Sequence, residues 1–175
     1  MDLEAQATLI GRVALGAALG YVIGFEREFR GKPAGERTFG LLALGSSAVT
    51  AVGVLFFPAS AEKVIAGVVT GVGFLGAGLI FRERDAEGQG QVLGLTTAAS
   101  SWAAAALGIL AGAGLYLSAV AACVMVLVIL EVNRLPLYRK IDPSKVRHDE
   151  GSAGEEPRFG TTAYPIRDEE HRAGE

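Results

Sequence analysis

Residues 64–81, "VIAGVVTGVGFLGAGLIF", decide how this chain folds. Within them Gly71–Gly76 reads GVGFLG, a literal match to the G-x-G-x-x-G pattern that cradles pyrophosphates. The preceding "VIAGVV" even passes for the strand such a loop must follow. A dinucleotide loop also needs a sizeable helix after it and an acidic residue about 20 positions on, at the end of a second strand. Here a charged loop, "RERDAEGQGQ", begins at Arg82, and the pattern holds no second strand. Read instead as a helix at about 100° per residue, the stretch sets Gly67, Gly71 and Gly78 within roughly 40° of one another. Ala66, Gly73, Gly76 and Ala77 form a second small-residue region, and Val64, Ile65, Val68, Val72, Leu75 and Leu79 gather between the two. Eighteen residues without a charge approach the roughly 20 that cross a hydrocarbon core. The stretch is therefore expected to span a membrane, its glycines admitting neighbouring backbones, and to bind no nucleotide.

Outward from this segment the charges keep to the connections. Residues 38–57, "TFGLLALGSSAVTAVGVLFF", carry none, and Val92 to Leu130 is a run of 39 uncharged residues. As one helix at about 1.5 Å per residue that run would be nearly 60 Å long, so it must be two passes. The break is expected in "GILAGAGL", around Gly108 to Gly114. A further span runs from about Thr8 to Phe25 with one charge, Arg12, near its outer end, from where an arginine can snorkel to the headgroups. The spans are thus about 8–25, 38–57, 64–81, 92–110 and 114–132, and all six prolines fall outside them. The expected fold is an all-α polytopic membrane protein of five transmembrane helices, with a membrane domain over 1–133.

Basic residues set the orientation. Arg27, Arg30, Lys32 and Arg37 lie in one connection, Arg82 and Arg84 in another, and Arg134, Arg139, Lys140, Lys145 and Arg147 beyond the last span. All three regions fall on one side, which puts the N-terminus outside and the C-terminus in the cytoplasm. From Arg134 the composition turns polar, and residues 134–175 read as a largely disordered cytoplasmic tail.

Composition agrees with this layout: half the residues are hydrophobic, mean hydropathy is +0.37, and 24 of 175 are glycine against a usual share of about 7%. The one cysteine, Cys123, has no partner for an intrachain disulfide, and two histidines make no zinc cluster. Asp2 and Glu4 stand where a secretory signal would carry positive charge. No Ser-His-Asp set or phosphate loop is present in context, so an enzyme is not expected, nor is a nucleic-acid or nucleotide ligand.

Three polar or small-residue patterns remain. Arg12, Gly16, Gly20, Gly24 and Glu28 recur every fourth residue, a glycine groove with a charge at each end, suited to close helix–helix contact. "GFEREFRGKPAGERT" gathers Glu26, Arg27, Glu28, Arg37 and Thr38 where the first span exits and the second enters, either a functional cluster at the cytoplasmic surface or a structural ion network. "VLGLTTAASSWAAAALG" brings the hydroxyls of Thr96, Thr97, Ser100 and Ser101 into the membrane, together with a Trp102 expected to fill a packing gap.

"GFERE", "PAGERT", "GVGFLGAGLI" and "VLGLTTAASSW", in that order, resemble the MgtC/SapB membrane-protein family, a likeness covering about residues 8 to 133. The resemblance implies a bacterial inner-membrane protein associated with magnesium homeostasis and growth at low magnesium, in one branch also with survival in macrophages. Family members are described either as magnesium transporters or as regulators that contact other membrane proteins such as the F-type ATP synthase. Departures from the virulence branch are Thr96 in place of Asn, Ala103 in place of Cys, and about 40 polar residues where that branch has a longer soluble domain; they favour the shorter SapB-like class. Glu36 departs from the aliphatic residue more usual before the Arg-Thr pair.

Magnesium prefers six oxygen ligands, usually one or two carboxylates and several waters. No carboxylate lies within a span; Glu26, Glu28 and Glu131 sit at cytoplasmic ends, which leaves Glu26 and Glu28 as the weak metal candidates. A regulatory module packing with copies of itself or other membrane proteins is thus preferred over a divalent-cation transporter, with no cofactor expected beyond Mg2+ as substrate or signal.

Overall fold

A computed structural model describes residues 2–84 and 90–131, all within one compact unit. Its helices are α1 (Leu3–Phe29), α2 (Glu36–Phe56), α3 (Ala61–Gly78), α4 (Leu95–Gly112) and α5 (Tyr116–Glu131), with a single 3-10 turn at Pro58–Ser60 leading into α3. Four are long and apolar enough to cross a membrane, counting the turn with α3; α5 is equally apolar over 16 described residues. The expected tail, 134–175, lies outside the described residues.

Small side chains build the centre. α1 packs along α2, and α2 along α4, through Ile23, Phe39, Ala43, Ala51, Ala104, Leu107 and Ala111, all buried. Between apolar helices in lipid no hydrophobic transfer energy is available, so close packing carries the association and small residues are what permit it. α5 closes the bundle with Ala119 and Cys123, whose Sγ lies 4.0 Å from the Leu19 carbonyl oxygen. Large apolar side chains such as Ile10, Phe25, Leu117, Met125 and Ile129 face outward, as an apolar solvent requires.

The structure departs from the sequence expectations in three respects. Helix α1 runs past both expected limits, because nothing breaks its ladder before Arg30 and Gly31. The charged connection after α3 contains an antiparallel ribbon, β1 (Phe81–Arg84) paired with β2 (Gly90–Leu93) from Phe81↔Leu93 to Arg84↔Gly90, so the chain is not purely α. Gly94 ends the ribbon at φ +87°, pressed so closely on the Leu79 carbonyl that a side chain there would overlap it. Finally, the reversal after α4 takes only Ala113–Leu115, with Gly114 at φ +82°; Gly108 and Gly112 lie inside α4.

Candidate functional site at the polar ends of the bundle

The ends of α1 and α5 meet in an ion network. Arg30, one residue beyond α1, places Nε on Glu26 and Nη2 on Glu131, the last residue of α5. A guanidinium presents its donors as a fork and so can hold two carboxylates from different helices. The bond to Glu131 raises the Arg30 pKa above its ordinary value, with partial desolvation opposing it. Arg30 therefore stays charged at any pH a cell meets. Arg27 is 3% exposed beside this network; its Nη1 is 4.0 Å from Glu26, and its Nε has no hydrogen-bond partner among the described residues.

Glu28 points elsewhere. Residues two apart on a helix face different sides, and Glu28 turns to α2, where its Oε2 accepts from the Glu36 N–H at 3.4 Å and sits against Gly35. Glu28, Gly35, Glu36, Arg37 and Thr38 line a recess of about 380 Å3. The expected cluster is thus two groups: Glu26 and Arg27 with Arg30 and Glu131, and Glu28 with Glu36, Arg37 and Thr38. Glu26 and Glu28 do not converge, and among the described residues no three His, Cys, Asp or Glu side chains group to hold a metal.

The opposite end is tied by Arg12. Its Nη1 donates to the Gly112 carbonyl at 2.9 Å, while the Ser47 hydroxyl donates to the Arg12 carbonyl at 2.9 Å, joining α1, α2 and the end of α4. In α4, Ser100 and Ser101 donate back to the carbonyls of Thr96 and Thr97 at 2.6 and 3.0 Å; Thr97 is buried and Thr96 exposed. Trp102 is 51% exposed on the outer face of α4, so it fills no gap among the described residues.

The two glycine patterns have different surroundings. Along α1, Gly16, Gly20 and Gly24 meet α2: a Cβ on Gly16 would lie 2.6 Å from the Ser47 Cβ, one on Gly20 would overlap the Phe39 carbonyl, and one on Gly24 the Glu36 Cα. Gly108 and Gly112 in α4 approach α2 as closely: a Cβ on Gly112 would lie 2.5 Å from the Ser47 carbonyl oxygen. In α3, by contrast, Gly67, Gly71, Gly73 and Gly78 have nothing within 4 Å among the described residues, and Gly76 has only the Ala98 carbonyl at 3.9 Å. Only Val72 of α3 is buried. Among the described residues of one chain, only Gly76 of these five glycines comes near a neighbouring backbone.

Residues 13–136 match the MgtC family. The chain belongs to the MgtC family. Among curated relatives it is 41% identical over 130 residues to "Protein MgtC" of Brucella abortus, covering 74% of this chain and 52% of that protein. It is 39% identical over 127 residues to "Protein MgtC" of Salmonella typhimurium, 68% of this chain and 53% of that one. "Protein SrpB" of Synechococcus elongatus is 44% identical over 115 residues, 60% of this chain and 63% of that protein. This MgtC-family chain spans about half the length of the MgtC relatives it matches. No solved structure matches it. Family and apolar helices together make it a membrane protein of MgtC type.

Proposed function

We propose that this chain is a five-pass protein of the bacterial inner membrane, N-terminus outside and C-terminus cytoplasmic, that serves adaptation to low magnesium as an interaction module. The Arg30–Glu131 bond supports the odd number of passes, since it sets the C-terminal ends of α1 and α5 side by side and two such helices run the same way. Basic residues on that side support its cytoplasmic placement.

The observation that carries the interaction reading is the outer face of α3. Ala66, Thr70, Gly73, Phe74 and Ala77 are exposed there, Phe74 at 82%, and the small residues leave its backbone open to close approach. Its partner is another copy of this chain or another membrane protein, the F-type ATP synthase being the candidate that the family resemblance supplies. The acidic candidates favour the same reading: Arg30 already pairs with both Glu26 and Glu131, and an ion would have to displace it.

In a strain lacking this gene, the chain should restore growth when magnesium is scarce, and a Gly73→Leu chain at equal membrane abundance should not. Full rescue by Gly73→Leu would remove the support for the α3 face.

A further inference from the structure

A groove between α2 and α3 serves neither the helix packing nor the ion network. It is an open trough of about 680 Å3, a volume inside the range of roughly 300–1,000 Å3 usual for organic ligands. Leu41, Leu42 and Val49 wall it on α2, and Val68, Val72 and Leu75 on α3. Gly45 and Gly71 also line it, and a Cβ on either would meet nothing within 4 Å among the described residues. At one end the groove reaches Thr38, which it shares with the polar recess of Glu28, Gly35, Glu36 and Arg37. Arg37 is exposed and makes no ion pair within 4 Å among the described residues.

An apolar trough therefore opens onto a mouth bearing the Arg37 guanidinium and two acidic side chains, Glu28 and Glu36, which hydrogen-bond each other. We propose that it holds one zwitterionic aminophospholipid. An acyl chain lies between α2 and α3, the phosphate meets the Arg37 guanidinium and the Thr38 hydroxyl, and the ammonium meets Glu28 and Glu36. The headgroup matches the mouth in sign at both positions. An anionic headgroup without an amine would set its charge beside two carboxylates with no cation of its own to offset them. A choline headgroup has no N–H to donate to them. A helix from a second copy would fill the trough and offer the mouth no headgroup charges.

Selectivity must reside in the headgroup. An acyl chain already in lipid gains nothing from hydrophobic transfer into the groove, whereas charge-assisted hydrogen bonds at the membrane edge discriminate between headgroups.

The test is native mass spectrometry of the full chain in detergent, offered equal amounts of phosphatidylethanolamine, phosphatidylglycerol and phosphatidylcholine with identical acyl chains. One phosphatidylethanolamine should be retained about tenfold in preference to the others, a ratio within reach of one such hydrogen bond. Arg37→Ala should cut its retention, and Glu28→Gln with Glu36→Gln should abolish the preference over phosphatidylcholine. Gly71→Phe, which fills open space, should lose all three adducts; if that variant does not accumulate, the headgroup variants alone decide. Equal retention of the three lipids, a preference for phosphatidylglycerol, or a phosphatidylethanolamine preference untouched by both headgroup changes would overturn the proposal. A lipid-free dimer cross-linked through Gly71→Cys in both copies would overturn it too.

Discussion

The Arg12 guanidinium donates to the Gly112 carbonyl at 2.9 Å, fastening α1 to the last residue of α4 at the end of the bundle opposite the Arg30–Glu131 bond. Helix α1 is thus held by a charged group at each end. Between them its glycines lie flat against α2, where the contact is mainly van der Waals and the Ser47 hydroxyl adds a hydrogen bond to the Arg12 carbonyl. The two arginines tie α1 to α4 at one end and to α5 at the other, beside its contact with α2.

Replacing Arg12 with Met keeps length and removes the donor. Hydrogen bonds to charged groups contribute about 1.5–3 kcal/mol, and relief from holding a charge near hydrocarbon returns part of that. The expected result is a lower thermal midpoint in detergent. An unchanged midpoint would show that the bond adds nothing.

Gly20→Ala and Gly73→Ala should separate the two glycine patterns. At Gly20 the new methyl overlaps the Phe39 carbonyl and the Ala43 side chain, so overpacking of about 1–3 kcal/mol is expected. At Gly73 it meets open space, and the higher helix propensity of alanine favours the variant by up to about 1 kcal/mol. Thermal unfolding of both variants in detergent reads the difference; equal destabilisation would place a neighbour against α3 within the purified protein.

Both of these contrasts rest on something the sequence shows only in part. The four-residue spacing of Gly16, Gly20 and Gly24 marks one face of a helix, and that spacing is legible without coordinates. The same spacing in Ala43, Ser47 and Ala51, the face of α2 between α1 and α4, is masked because serine and alanine suit many places in a membrane helix. Gly108 and Gly112 read as a turn because an unbroken apolar run offers no boundary, and only the packing shows them inside α4. A spacing pattern also cannot say whether a neighbour is present, which is why the glycines of α3 read like those of α1. Arg30 reads as an ordinary loop charge; its second partner, Glu131, lies on the far side of the chain in sequence and comes near only through the fold.

The Arg30 link should guard Cys123. That thiol is 3% exposed between α5 and α1, with no disulfide, and is expected to resist a membrane-permeant maleimide. Arg30→Ala frees the end of α5 and should speed labelling severalfold, while Lys32→Ala should not. Equal labelling rates in the wild type and Arg30→Ala would show that α5 is held without the ion pair.

Trp102 reports the outer face of α4. Half-exposed and the single tryptophan of the chain, it should be quenched strongly by brominated lipid in vesicles. Quenching no greater than that produced by an aqueous quencher would mean that another chain covers this face or that it meets water.

The central claim is that the protein acts through contacts in the membrane and does not conduct magnesium. The most direct measurement is reconstitution of the full chain into liposomes containing a trapped magnesium dye, with an inward magnesium gradient. The account predicts a signal equal to that of protein-free vesicles, in the wild type and in Glu26→Gln alike. Magnesium entry through the wild type that Glu26→Gln abolishes would contradict it.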